Sequence, residues 1–376
     1  MPAAPSAAPI VGVKRQSAGL GPVVESKFGG EIFGWDIDQN GNDGVLTETI
    51  VQQSGMDLNA IETFDLSSGQ ITKVVQKRIQ PNSTEPVVRA IAGSDVGIID
   101  VEHDPGLQRN DTFDLISPVS GNKITGHSKT PHPVNIVPNF MTNNQASSSQ
   151  VMFAAFDNHG SDQPVMFTYD TAMNKWGQRR EFSRKDLFNT NFHVYAAIDP
   201  TTNEAVTGYL KRTRYNPHES PTIYIMDAAT GKHLRSFYGV GYGFPNGMAI
   251  DPTTDTMCTT TTGDMDVEFY NLSSGKGKAV QIPVLFGGGA ETNGAAVAAD
   301  PIHHLFLVAQ LNSTFSSTGG STVIVYDERG KLVEFINGFN FLELDSVVIP
   351  HLAVVPSKRI GYVDGPNSNE LQEFTY

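Results

Sequence analysis

The fold is predicted best from residues 247–275, GMAIDPTTDTMCTTTTGDMDVEFYNLSSG. This stretch begins with a small and apolar run that ends at Asp251-Pro252, and it reaches Val267–Asn271, whose β-branched and aromatic residues favour a strand. The segment Leu272–Gly275 follows as a tight turn, in which glycine supplies a positive φ angle. The stretch therefore predicts three strands, A, B and C, joined by turns, with a fourth strand D after the glycine.

The same pattern recurs along the chain. Runs similar to strand C lie at Ile61–Asp65, Asp111–Asp114, Val165–Asp170, Thr222–Asp227, Thr322–Asp327 and Leu371–Tyr376. The small apolar run before Asp-Pro recurs at Ala197–Pro200 and Ala299–Pro301, and in looser form at Ile136–Pro138 and Val354–Pro356. The ends of the seven C runs lie 44 to 57 residues apart, which is the spacing of blades in a β-propeller. We therefore predict an all-β fold: one domain, residues 1–376, forming a seven-bladed β-propeller of four-stranded antiparallel blades.

The seventh copy reaches Tyr376 without a strand D. We predict that residues 10–16 pair there and that this N-terminal strand closes the ring, because closure removes the exposed edge of the sheet. Residues 1–9 are rich in Ala and Pro and lack the apolar core of a signal peptide. They are expected to form a disordered mature N-terminus.

The composition limits which partners and which cellular compartment we expect for the protein. The chain has 376 residues, 26 Lys and Arg, 40 Asp and Glu, and a net charge of −14, so we expect no nucleic-acid partner. It has no apolar stretch long enough to span a bilayer. Its single cysteine, Cys258, gives no disulfide framework and is expected in the core. Four sequons, at Asn82, Asn110, Asn271 and Asn312, indicate a secreted glycoprotein, which we expect to be a monomer.

Two segments resemble known repeat families. Ala197–Thr202 and Ile223–Lys232 are similar to YVTN and NHL repeats, and Phe244–Asp251 resembles the Pro-Asn/Asp-Gly-x-Ala segment of the SMP-30/gluconolactonase and NHL families. The resemblance implies a β-propeller. It does not imply one function, because one fold hosts many activities.

The starts of the A strands line the central funnel of a propeller, where a ligand site is expected. Three histidines stand at similar positions before strand A in different blades, namely His132, His193 and His351, and Arg89, Asn246 and Asn293 stand at the corresponding positions of other blades. The loop Lys211–Glu219 adds Arg214 and Tyr215. Guanidinium groups beside imidazoles suit a carboxylate ligand, although the same residues could also be solvated or could cap the inner strands.

Three functions remain open. Cleavage beside a uronate by β-elimination needs a group that neutralises the carboxylate, a base and an acid. Arg89 or Arg214 could neutralise the carboxylate. His132 or His193 could act as the base, and His351 or Tyr215 as the acid. Asn246 and Asn293 would bind the substrate. A secreted lyase acting on an acidic oligo- or polysaccharide is the leading hypothesis, since the fold and the secreted setting resemble those of propeller polysaccharide lyases.

A non-catalytic binding propeller is the first alternative, and a metal-dependent lactonase is the second. The SMP-30 resemblance implies Asn246 and Asn293 as metal ligands. The blade count and the histidine-rich rim depart from that family, and its glutamate ligand has no secure counterpart here.

A separate acidic motif suggests calcium. Asp36, Asp38 and Asn40, followed by Gly41, resemble the first half of an EF-hand loop, although the later positions depart from it. We expect it in the A–B turn of the first blade, on the face opposite the funnel site. Calcium there would be structural, and no organic cofactor is predicted.

Overall fold

A computed structural model gives the structure of the protein. It describes residues 15–17, 19–38, 42–51, 56–81, 87–90, 97–100, 112–116, 128–129, 135–143, 150–157, 163–170, 175–176, 180–181, 195–199, 201–209, 222–228, 232–241, 244–262, 266–283, 292–312, 321–339, 351–364 and 369–376. Within these residues every regular element is a β-strand, and no helix occurs.

The strands are short and follow one another through turns. The first fifteen are β1 (Arg15–Ser17), β2 (Leu20–Glu25), β3 (Glu31–Ile37), β4 (Asp43–Val51), β5 (Met56–Asp65), β6 (Ile71–Pro81), β7 (Val87–Ala90), β8 (Gly97–Asp100), β9 (Thr112–Ile116), β10 (Ser128–Lys129), β11 (Asn135–Asn143), β12 (Gln150–Asp157), β13 (Gln163–Asp170), β14 (Lys175–Trp176) and β15 (Arg180–Glu181). The others are β16 (Tyr195–Asp199), β17 (Glu204–Tyr209), β18 (Thr222–Asp227), β19 (His233–Tyr238), β20 (Phe244–Asp251), β21 (Thr256–Thr262), β22 (Asp266–Asn271), β23 (Lys276–Gln281), β24 (Thr292–Asp300), β25 (Leu305–Asn312), β26 (Ser321–Asp327), β27 (Leu332–Phe339), β28 (Leu352–Val355), β29 (Ile360–Asp364) and β30 (Glu370–Thr375).

Hydrogen bonds group these strands into seven sheets, five of four strands and two of five. Sheet 1 holds β3–β6, sheet 2 β7–β10, sheet 3 β11–β15, sheet 4 β16–β19 and sheet 5 β20–β23. Sheet 6 holds β24–β27 with β1, and sheet 7 holds β28–β30 with β2. Consecutive strands pair antiparallel within the sheets, as the A-B-C-D pattern predicts, except that β15 pairs with β13 and not with β14.

The strand that completes sheet 7 is not the predicted one. β2 pairs antiparallel with β30, with Val23 opposite Gln372, whereas β1 pairs in parallel with β27 of sheet 6. The prediction of residues 10–16 is therefore wrong for residues 15 and 16, and residues 10–14, like the expected disordered segment 1–9, lie outside the described residues. The reason is physical: Val24 is fully buried against Leu371 and Tyr362, and this packing places residues 20–25 beside strand C.

The core lies between adjacent sheets. The apolar clusters join sheet 4 to 5, sheet 5 to 6, sheet 6 to 7, sheet 7 to 1 and sheet 1 to 2. The innermost strands also contact one another in cyclic order, β3 with β7, β7 with β11, and so on to β28, which contacts β3. Burial between sheets therefore holds the blades together.

The A–B turn repeats in detail. In four sheets its last residue has a positive φ angle of 52–56°, namely Asn203, Asp255, His304 and Arg359. In three of these turns the carbonyl of that residue accepts a backbone hydrogen bond from beyond strand C. The donors are Ala228 to Asn203, Leu272 to Asp255 and Tyr376 to Arg359. One predicted turn is wrong, since β11 runs through Pro138 to Asn143 with an irregular register.

Three glycines lie beneath aromatic rings. Gly44 is paired with Phe64, Gly277 with Tyr270 and Gly361 with Phe374, each on the neighbouring strand. A Cβ atom at any of these glycines would clash with the ring. The glycines therefore make room for large buried side chains between blades.

Candidate funnel site

His351 is the one predicted funnel histidine that the structure describes. It directly precedes β28, and its backbone N–H donates to Asp364 Oδ2 at 2.8 Å. Trp35, on β3 of sheet 1, donates from Nε1 to the other oxygen of the same carboxylate at 2.6 Å. The rings of Trp35 and His351 meet edge to face, with centroids 4.7 Å apart. Asp364 thus fixes His351 and Trp35 together at the junction of sheets 7 and 1.

Asp36 completes this arrangement, which we call the His351 cluster (Trp35, Asp36, His351 and Asp364). Asp36 is buried, and its Oδ1 atom lies 3.8 Å from His351 Nε2. Its Oδ2 atom accepts from the Ala90 N–H at 3.1 Å, and Oδ1 accepts from the Ile37 N–H at 2.8 Å. The cluster therefore joins the inner strands of sheets 7, 1 and 2.

The imidazole of His351 is held in place. One third of its side chain is exposed, but Nε2 has no exposed surface and no hydrogen-bond partner. A general acid or base must reach its substrate within hydrogen-bond distance. In this conformation Nε2 faces the Asp36 carboxylate, so His351 links sheets 7 and 1, and its catalytic role stays a prediction.

The calcium motif is arranged differently from the prediction. Asp36 lies inside β3 and its oxygens accept from protein N–H groups, so it does not point toward a turn site with Asp38. Asp38 follows the strand, and Asn40 lies outside the described residues. Within the described part of the chain no group of three or more His, Cys, Asp or Glu could hold a metal ion. Calcium binding stays a prediction.

The other predicted site residues divide by location. Arg89, Asn246 and Asn293 lie within the inner strands β7, β20 and β24, so these strands begin earlier than predicted. His132, His193, Arg214 and Tyr215 lie outside the described residues, and so do the sequons at Asn82 and Asn110. Asn271 and Asn312 are the last residues of β22 and β25. The Asn271 side chain caps the following turn, accepting from Ser274 and donating to Asp255 at 3.2 Å.

The recurring Asp-Pro motif has a structural role. Asp251 Oδ1 accepts from the Thr253 N–H at 2.9 Å, and its Oδ2 lies 3.0 Å from His304 Nδ1 in sheet 6. Asp300 likewise caps its own turn and accepts from the Tyr376 hydroxyl of sheet 7 at 3.0 Å. Burial, with the neighbouring Asp300, raises the pKa of Tyr376. These aspartates stabilise the A–B turns and link neighbouring sheets on that face.

Sequence reasoning missed Trp35 and Asp364. Trp35 is one of only two tryptophans in the chain. The available signal was an aspartate at the end of a strand B, Asp364, which could accept a hydrogen bond from the indole N–H. Asp100 and Asp157 also end B strands, but no other described A strand carries a tryptophan, so the repeat alone could not reveal the contact between Trp35 and Asp364. The described residues also contain no helix long and apolar enough to cross a membrane.

Comparisons with known proteins support the fold. No protein-family model matches the chain, and no curated protein matches it. Among solved structures, the Cps50 (Swd1) β-propeller domain of Myceliophteria thermophila is 11% identical with a TM-score of 0.57, covering 96% of this chain and 99% of that chain. Raptor of Chaetomium thermophilum is 11% identical with a TM-score of 0.60 over 94% of this chain and 28% of that chain.

A chain of the mitotic checkpoint complex is 12% identical with a TM-score of 0.60, covering 99% of this chain and 98% of that chain. At such identities the likeness concerns the fold alone. It does not extend to the YVTN, NHL or SMP-30 families, and membership of those families stays a prediction. The antiparallel sheets of the described residues and these neighbours agree that the chain has a β-propeller fold.

Proposed function

We propose that this protein is a non-catalytic, ligand-binding β-propeller of seven blades. Each of the seven sheets would be one blade, and the cyclic contacts of the innermost strands support a closed ring. Closed rings of this kind have a central funnel in which loops from several blades meet. The funnel is therefore the proposed place of binding.

One observation favours binding over catalysis. His351 is packed against Trp35, and its Nε2 atom is buried beside Asp36. A lyase that uses His351 as its acid would need that imidazole free to exchange a proton with the sugar. The cluster instead uses His351 to join blades 7 and 1, which is a structural task.

The charge of the cluster indicates where a ligand would lie. Asp36 and Asp364 place two carboxylates beside His351, and such a wall disfavours an anionic sugar. We place an acidic oligosaccharide at the basic loop Lys211–Glu219, which contains Arg214 and which the sequence assigns to blade 4, away from sheets 7 and 1. Secretion, which would bring the protein to such a ligand, is part of this proposal.

Binding and cleavage can be separated in one experiment. The purified protein is titrated by calorimetry with a glucuronate-containing oligosaccharide, and the ultraviolet absorbance of unsaturated uronate ends is followed in parallel. We expect saturable binding, weakened at least tenfold in the Arg214→Ala variant because one charge-assisted contact is lost, with no rise in absorbance. The Arg359→Ala variant, altered in an A–B turn on the other face, is the matched control and should bind as the parent does.

Two results would overturn the proposal. A rise in absorbance that is lost in a folded His351→Ala variant would establish the lyase. Absence of binding to a panel of uronate oligosaccharides, together with metal-dependent opening of a sugar lactone, would establish the lactonase.

A further inference from the structure

Two glutamates are buried together where the ring closes. Glu48 on β4 and Glu62 on β5 have no exposed surface. They face the connection Ser26–Gly30, which joins the closing strand β2 to the first strand of sheet 1. Their position links the end of the ring to its beginning.

The connection holds both carboxylates through its backbone. The Lys27 N–H donates to Glu62 Oε2 at 2.9 Å, and the Gly30 N–H donates to Glu48 Oε2 at 3.0 Å. The Phe28 N–H donates to Glu48 Oε1 at 3.2 Å. Gly30 lies so close to Thr49 that a Cβ atom would clash with its carbonyl. The connection is therefore wrapped tightly around the two acids.

The two acids cannot both be ionised without cost. Buried carboxylates at one site repel each other, and the usual solution is one shared proton. Glu62 Oε1 is buried without another hydrogen-bond partner, which fits a proton held between the two groups. The charged groups that act on Glu62 are Glu48 and Lys27, and strand β6 places the uncharged Val74 opposite it.

We propose that the Glu48–Glu62 pair is a proton-dependent latch on ring closure. With one shared proton, the pair binds the three N–H groups and holds residues 26–30 against blade 1. When the proton leaves, the two negative charges repel and the connection opens more often. The device acts on the stability of the ring and is independent of any ligand in the funnel.

The direction of the effect follows from the pKa of Glu62. Burial, together with the Glu48 charge, raises the pKa of Glu62 from 4.5 to about 7. The closed form therefore holds more protons than the open form between these values, so its stability falls as pH rises from about 4.5 to about 7 and is constant above. Between pH 6 and pH 8 the opening of residues 26–30 should increase about tenfold.

Hydrogen exchange read by mass spectrometry tests the latch on the full chain. The probe is the peptide that contains residues 26–30, with rates corrected for the intrinsic effect of pH and with the turn Leu272–Gly275 as internal reference. We expect opening to increase about tenfold from pH 6 to pH 8 in the parent. The Glu62→Gln variant should open at the same frequency at both values, because its amide keeps a donor and an acceptor beside Glu48 but does not titrate.

A matched control comes from blade 5. Glu268 stands, like Glu62, three residues before the end of its strand C, and it is also buried. It accepts a hydrogen bond from the Tyr270 hydroxyl. The Glu268→Gln variant should keep the pH dependence of residues 26–30. The proposal is overturned if the parent shows no pH dependence of opening at residues 26–30. It is also overturned if the Glu62→Gln and Glu48→Gln variants both retain that pH dependence. The parent measurement alone is decisive if a variant does not fold.

Discussion

A chain lacking residues 1–25 is expected to lose cooperative folding. The deletion removes β2, exposes the edge of β30 and leaves the cluster around Leu371 and Tyr362 without Val24. It also detaches the connection that binds Glu48 and Glu62. A sheet edge without its partner favours association with other chains. We expect a broad thermal transition by circular dichroism, and soluble aggregates by size-exclusion chromatography.

The control is a chain lacking residues 1–18. It loses β1, which pairs through only three residues with β27, but it keeps β2. We expect it to unfold cooperatively within a few degrees of the full chain. If the chain without residues 1–25 unfolds as sharply as this control, β2 does not close the ring.

Replacing Trp35 by alanine should be the most damaging single substitution in the His351 cluster. The indole is almost fully buried between sheets 7 and 1, contacts His351 and donates to Asp364. Truncation leaves a large cavity and removes the indole donor to Asp364, and large-to-small changes of this kind cost about 3–5 kcal/mol. Urea denaturation at pH 7, followed by tyrosine fluorescence, measures the loss in free energy of unfolding.

Trp35→Phe separates packing from the hydrogen bond. It keeps an aromatic ring beside His351 but removes the donor to Asp364, for which about 1–3 kcal/mol is expected. If Trp35→Ala costs no more than Trp35→Phe, the contact with His351 does not hold sheets 7 and 1 together. A similar cost for the two variants would also weaken the structural role assigned to His351.

Much of the architecture could be predicted from local patterns. The A strand before Asp251-Pro252 and the C strand before Leu272 are where the sequence places them, because turn chemistry and β-branched runs act over a few residues. The closing strand could not be located in the same way. Residues 10–14 and 20–25 are both compatible with a strand, and only the packing of Val24 against sheet 7 selects the second.

The site was harder to predict than the fold. The spacing of His351 from its strand identified the right position, but it could not show that Asp36 lies beside the ring. In the sequence, Asp36 resembles a calcium ligand in a turn because acidic and amide residues follow it. The direction of its side chain depends on the alternation of side chains along β3 and on a hydrogen bond from the Ala90 N–H in the next blade. Ala90 lies 54 residues away in the sequence.

A disulfide between β2 and β30 would show whether β2 closes the ring. Val23 lies opposite Gln372, and the single native cysteine, Cys258, is buried and free. We expect a chain carrying Val23→Cys and Gln372→Cys to form an intramolecular disulfide on mild oxidation, detected as a cross-linked peptide by mass spectrometry. Efficient cross-linking of Val13→Cys with Gln372→Cys instead, and none at Val23, would show that β2 does not close the ring.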